Sequence, residues 1–131
     1  MPSMTSLFLA IEFIERNLHE DIRSNEIAAA ASVSSSHLYK LFSRTFNQSP
    51  REYLVKRRMS WAADALVHGS RSITEIAFLT CYSTVEGFSR AFKRYYLLLP
   101  SEYRKTKPVI IDLYPKLSTA GEAHETEQPI C

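Results

Sequence analysis

The chain has 131 residues, 45% of them hydrophobic, and a formal net charge of +2, which allows one compact domain or two very small ones. No apolar run approaches a membrane span, and the N-terminus lacks the basic and then apolar pattern of a signal peptide. The two cysteines, Cys81 and Cys131, have no metal-ligand spacing and are interpreted as free thiols. These features predict a soluble protein of the reducing cytoplasm.

The sign of the charge changes along the chain. The charged residues are mostly acidic within positions 1–32 and are basic apart from Glu52 within positions 33–58, and the basic bias returns between Arg90 and Lys107. This pattern favours a polyanionic partner, although charge alone would fit solvated helix faces equally well. Because no Ser, His and Asp set, paired carboxylates or glycine-rich phosphate loop occurs, we expect no enzyme, cofactor or metal site.

The first predicted element is an amphipathic helix over residues 5–19, which we interpret as structural. Its apolar stripe consists of Leu7, Ile11, Ile14 and Leu18, widened by Phe8. After a break at residues 21–24, a short helix begins at Ser24 or Arg23. Its run of alanines, ending at Ala31, allows another helix to approach closely.

A turn at residues 32–34 leads into a third helix, which Ser34 caps and which ends near Phe46. Its inward residues are Leu38, Leu41 and Phe42. A short helix, a tight turn and a second helix over residues 24–46 form the helix-turn-helix plan, in which the second helix reaches base edges in the major groove. The outward residues are Ser35, Ser36, Tyr39, Lys40 and Ser43.

Three side chains of this third helix have specific interpretations. Lys40 is the strongest candidate for a base contact, as a donor to guanine O6 or N7. His37 is expected to be partly buried or to face a phosphate. Tyr39 has two open interpretations, since it could touch a base or cover the rim of the core.

A long helix over residues 50–67 follows Asn47, which tolerates the left-handed conformation needed to leave the third helix. Ser49 is its N-cap candidate, and Glu52 stands where it can complete a capping box. Its apolar stripe comprises Tyr53, Leu54, Met59, Ala62, Leu66 and Val67, and Trp61 is also interpreted as a core residue. Its basic side comprises Arg51, Lys56, Arg57 and Arg58.

The helix-turn-helix plan recurs over residues 73–96. Ser72 and Glu75 form a capping box, and Ser83 or Thr84 caps a final helix that ends near Tyr95. The predicted buried residues are Ile73, Ile76, Ala77 and Leu79 before the turn and Phe88, Ala91, Phe92 and Tyr95 after it. The outward residues are Val85, Glu86, Ser89, Arg90, Lys93 and Arg94.

The outward residues of this second unit suit particular bases. Arg90 is predicted to read guanine, and Val85 can contact a thymine methyl group. Glu86 either accepts a hydrogen bond from cytosine N4 or caps its own helix. Beyond an apolar connector at residues 97–100, we expect a short helix at Ser101–Thr106, an extended segment at residues 109–114 and a largely disordered tail.

The two helix-turn-helix patterns are copies of each other. At a shift of fifty residues, chemically similar side chains coincide, namely Leu38, Lys40, Phe42, Arg44, Phe46, Pro50, Glu52 and Tyr53 with Phe88, Arg90, Phe92, Arg94, Tyr96, Pro100, Glu102 and Tyr103. Upstream of Ser34 the best shift is forty-nine. An internal repeat of this period indicates two copies of one supersecondary unit.

With this pattern, residues 6–105 resemble the DNA-binding domain of the AraC/XylS transcription regulators, most specifically over residues 77–103. The resemblance implies an all-α fold of seven helices over residues 6–106, with two helix-turn-helix subdomains joined by a long linker helix. It places base contacts at Ser36, Tyr39, Lys40, Val85, Glu86, Ser89 and Arg90. We predict phosphate contacts at Ser34, Ser35, Arg44, Arg57, Thr84, Lys93 and Arg94. Four positions at which the family usually has glycine are Ser32, Asn47, Cys81 and Leu97.

The predicted function is sequence-specific binding of double-stranded DNA by a transcription regulator, with activation as the expected outcome. A monomer would read two half-sites about 34–36 Å apart in successive major grooves. RNA polymerase is a further candidate partner, and the expected location is the cytoplasm, at the nucleoid. The alternative is a helical protein-interaction module that contacts RNA polymerase or another regulator through residues 97–99 without specific DNA binding.

Overall fold

A computed structural model describes residues 2–108, with side chains from Met4 onward, and every regular element in this part is an α-helix. The helices are α1 (Pro2–Arg16), α2 (Ser24–Ala30), α3 (Ser35–Phe46), α4 (Pro50–His68), α5 (Ile73–Leu79), α6 (Val85–Tyr96) and α7 (Pro100–Thr106). The predicted all-α fold of seven helices is confirmed. The extended segment and disordered tail expected after residue 108 lie outside the described residues.

The described residues form two compact units whose boundary falls within α4, between Lys56 and Arg57. The first unit contains α1, α2, α3 and the start of α4. The second contains the rest of α4 with α5, α6 and α7. No helix in residues 2–108 is long and apolar enough to span a bilayer.

The predicted stripe of leucines and isoleucines is buried, with Leu18 just beyond the end of α1, and Ala10 joins them with no exposed surface. Phe8, expected to widen the stripe, is 38% exposed. Each residue turns about 100° around the helix axis, so the neighbour of the inward Leu7 points toward solvent. The helix ends at Arg16 rather than at residue 19, where the Asn17 amide donates a 2.8 Å hydrogen bond to the Phe13 carbonyl.

A reciprocal capping box fixes the start of the linker helix α4, and a single glutamate bond fixes the start of α7. The Ser49 hydroxyl accepts from the Glu52 backbone N–H, while the Glu52 carboxylate accepts from the Ser49 N–H at 2.8 Å. In α7 the Glu102 carboxylate accepts from the Leu99 N–H at 2.9 Å. These bonds satisfy backbone donors that the first helical turn leaves without partners. The predicted capping box of α4 is confirmed.

The four residues at positions where the AraC/XylS regulators usually have glycine all adopt the left-handed backbone conformation. The φ angles are 59° at Ser32, 55° at Asn47, 69° at Cys81 and 70° at Leu97. Residues 32 and 81 lie in the turns, and residues 47 and 97 directly follow α3 and α6. The left-handed exit predicted at Asn47 is confirmed, and the backbone path is repeated even where glycine is absent.

Candidate nucleic-acid interface

The helix α3 is held by its cap and by its apolar rear face. The Ser34 hydroxyl accepts from the His37 backbone N–H at 3.1 Å, as predicted from the sequence. The predicted inward residues Leu38, Leu41 and Phe42 are all buried. With this face packed in the first unit, the opposite face of α3 is available to a partner.

That opposite face carries mostly polar and basic side chains. Every predicted contact residue of α3 and its cap is exposed, namely Ser34, Ser35, Ser36, Tyr39, Lys40 and Arg44. Tyr39 is 57% exposed, so its side chain projects into solvent instead of covering the core. His37 is also exposed, which contradicts a partly buried histidine and leaves the phosphate-facing interpretation.

The helix α6 is set in the same way within the second unit. Thr84, and not Ser83, is its cap, since the Thr84 hydroxyl accepts from the Gly87 backbone N–H at 3.0 Å. Phe88, Ala91 and Phe92 form the buried rear face. The predicted orientation of this helix within its unit is therefore confirmed.

The outward face of α6 carries more charge than that of α3. Glu86, Arg90, Lys93 and Arg94 are exposed, whereas Val85 and Ser89 are half-buried. Because Thr84 is the cap, the third helical position belongs to Gly87, and Glu86 does not occupy the place that a capping box requires. The capping interpretation of Glu86 is thus contradicted.

Two arginines that the sequence analysis assigned to the basic side of α4 are buried. Arg57 is 8% exposed and Arg58 is 3% exposed. A phosphate contact needs an accessible guanidinium, so burial contradicts the contact predicted for Arg57. The sequence suggested a one-sided helix, but residues 57–60 are all buried, which requires packing around most of the α4 circumference. Arg51 is exposed, so the basic side is confined to the first turns of α4.

The structure also gives Arg104 a role that the sequence analysis did not identify. Its Nε–H donates a 3.0 Å hydrogen bond to the Leu66 carbonyl, one of the last four carbonyls of α4, which lack helical donors. In the sequence Arg104 contributed only to the basic bias. The repeat could have indicated this role, because Arg104 stands at the position of Leu54, a predicted core residue of the first copy.

Comparisons with known sequences identify the same plan. A family model for a helix-turn-helix domain matches residues 27–106. The lactose operon transcription activator of Staphylococcus xylosus is 36% identical over 95 residues, which cover 72% of this chain and 34% of that protein. The chain spans about a third of the length of the curated relatives it matches first.

Solved structures share the fold. A transcriptional regulator from Chromobacterium violaceum with an AraC-type DNA-binding domain matches with a TM-score of 0.75 and 26% identity, covering 79% of this chain and 93% of that chain. The DNA-binding domain of the global transcriptional factor AdpA, crystallised with a target DNA, matches with a TM-score of 0.71. That match covers 76% of this chain and 90% of that chain, and at 22% identity it concerns the fold alone.

Proposed function

Because the chain belongs to the AraC-type helix-turn-helix family of DNA-binding transcription regulators, we propose that it binds double-stranded DNA sequence-specifically through the outward faces of α3 and α6. Each helix enters a major groove and presents its first two turns to base edges. The bases are read by Ser36, Tyr39 and Lys40 in α3 and by Val85, Glu86, Ser89 and Arg90 in α6.

One observation carries this proposal, namely that two helices at matching positions of a repeat bury apolar rear faces and expose polar, cationic fronts. Lys40 and Arg44 are exposed on α3, and Arg90 and Arg94 are exposed at the equivalent positions of α6. Cations on the same side of a helix as base-reading side chains neutralise phosphates and fix the register of the protein on the duplex. The proposed phosphate contacts are Ser34, Ser35, Arg44, Thr84, Lys93 and Arg94.

The regulatory outcome that we propose is activation, by a monomer in the cytoplasm at the nucleoid. Activation is supported by the relative from Staphylococcus xylosus, which is named as a transcription activator. Two reading helices in one chain can occupy two half-sites without a second copy. RNA polymerase is the proposed protein partner.

The test is selection of bound sequences from random duplex DNA, followed by binding measurements on the selected site over a range of salt concentrations. We expect one site to be enriched and to bind about 10³- to 10⁷-fold more tightly than random duplex. Failure to enrich any sequence would contradict the proposal.

Phosphate contacts are tested by removing one cation at a time. Arg44→Ala and Arg94→Ala should each lower the slope of log affinity against log salt by about 0.9, because each releases one fewer counterion. Arg16→Ala is the matched control, since Arg16 is exposed but pairs with Glu12 on α1 at 3.0 Å. An equal effect of all three variants would show that overall charge, and not a binding surface, determines the slope.

A protein-interaction module is the second candidate, favoured by the 78% exposure of Leu97. Large apolar side chains this exposed are typical of interaction sites when they cluster. Retention on DNA that weakens with salt and depends on Arg94 would support the DNA-binding function. Failure of the protein to be retained on DNA at low salt would support the interaction module instead.

A further inference from the structure

The repeat allows α3 and α6, the two proposed reading helices, to be compared position by position. At a shift of fifty, Ser36 corresponds to Glu86 and Lys40 corresponds to Arg90. All four side chains are exposed. The first helix therefore offers a hydroxyl and a point charge where the second offers a carboxylate and a planar guanidinium.

These side chains differ in how well they distinguish bases. A guanidinium donates two parallel hydrogen bonds to guanine O6 and N7, whereas a serine hydroxyl can donate or accept and so tolerates several bases. An ammonium group is a single, mobile point of charge and selects less by geometry than arginine does. The α6 pair thus has the greater capacity for discrimination.

Glu86 also differs from the other first-turn glutamates of the described chain. Glu26, Glu52 and Glu102 each accept from the backbone N–H of the residue that caps their helix, at 2.7, 2.8 and 2.9 Å. Glu75 instead pairs with Arg71 at 2.9 Å. Thr84 is the N-cap of α6, so Glu86 is not at the third helical position and its carboxylate does not cap the helix.

A carboxylate on a surface that meets DNA is repelled by the phosphates, so it weakens binding unless it finds a donor. In the major groove the N4 amino group of cytosine suits a carboxylate best, because the other amino donor, adenine N6, lies beside the N7 acceptor. Glu86 and Arg90 are four residues apart, about 6 Å along one helix face, which is close to two base-pair steps of about 3.4 Å each. Glu86 would therefore favour one base and penalise the others.

From these observations we infer that α6 supplies most of the sequence discrimination, reading a half-site that contains a guanine for Arg90 and a nearby cytosine for Glu86. The half-site of α3 is correspondingly less restricted. This inference rests on the proposed DNA-binding function, and it predicts an asymmetric operator in which the two halves carry unequal sequence information.

The test repeats the selection from random duplex DNA with the full chain and four variants. Arg90→Ala and Glu86→Gln alter the pair, and Lys40→Ala and Ser36→Ala are the matched controls in α3. Arg90→Ala should reduce discrimination at one guanine by roughly 5- to 150-fold. Glu86→Gln should move the preference at one position from cytosine toward adenine, because glutamine pairs with adenine N6 and N7. The controls should change the selected sequence less.

The outcomes separate this inference from the proposed function. A selected site that Lys40→Ala relaxes more than Arg90→Ala does would overturn the inference while leaving DNA binding intact. An unchanged cytosine preference in Glu86→Gln would remove Glu86 as a reader. If no variant and no wild-type protein selects a sequence, the proposed function fails and the inference fails with it.

Discussion

The aromatic interiors of the two units can be compared ring by ring, because the repeat places equivalent residues in both. Phe42 and Tyr53 meet edge to face with centroids 5.4 Å apart, and Phe92 and Tyr103 do so at 5.2 Å. Both tyrosines are 6% exposed and both phenylalanines are fully buried. These contacts join α3 to α4 in one unit and α6 to α7 in the other, so the same packing fixes each reading helix to the helix that follows it.

The outward faces show no such agreement. Tyr39 is 57% exposed in α3, and the equivalent Ser89 of α6 is small and half-buried. Serine and lysine in α3 are replaced by glutamate and arginine in α6, as described above. Packing density restrains the interior of each unit, whereas no such restraint acts on a solvated face. The duplicated core therefore supplies two similar supports for two chemically different surfaces, and the proposed reading of DNA would depend on that difference.

The strongest test of this comparison truncates the shared core. Phe42→Ala and Phe92→Ala should each lower the free energy of unfolding by about 3–5 kcal/mol, because each deletes a fully buried ring and leaves a cavity. Denaturant unfolding followed by circular dichroism measures the loss, and two transitions would show that the units unfold separately.

The matched control for the core is Phe78→Ala, which removes a ring of the same size that is 55% exposed. We expect this change to alter stability by less than about 1 kcal/mol. If Phe92→Ala were as mild as Phe78→Ala, the aromatic contacts of the second unit would not be equivalent to those of the first.

A second test uses a difference between the interiors. Arg104→Leu places the residue of the first copy, Leu54, into the second, and should lower stability by about 1–3 kcal/mol, since the Leu66 carbonyl loses a charged donor. Thermal unfolding compares this variant with Lys105→Leu, which removes the same charge from an exposed neighbour. Equal melting temperatures for the two variants would show that the hydrogen bond contributes nothing.

Much of this fold could be predicted because local signals and the repeat agree. Ser34, Ser49 and Ser72 cap the helices that they were expected to cap, and the buried faces of α3 and α6 follow helical spacing. The capping box predicted for Ser72 and Glu75 is only half formed, because the Glu75 carboxylate pairs with Arg71 instead. Burial of Arg57 and Arg58 could not be predicted, since it depends on packing from several sides of α4 rather than on the α4 sequence. The cap of α6 had two equivalent candidates in Ser83 and Thr84, and only the structure distinguishes them.

The smallest expected effect concerns the residues that follow the reading helices. Asn47 and Leu97 both adopt left-handed backbone, which costs about 1–2 kcal/mol for an ordinary L-residue and less for asparagine. Leu97→Gly should therefore raise stability by about 0.5–1 kcal/mol after allowing for the greater freedom of glycine in the unfolded chain, whereas Asn47→Gly should change it by less. Leu97→Ala is the control, because it removes the exposed side chain but keeps the strained backbone. A gain from Leu97→Ala equal to that from Leu97→Gly would assign the effect to the leucine side chain and not to its conformation.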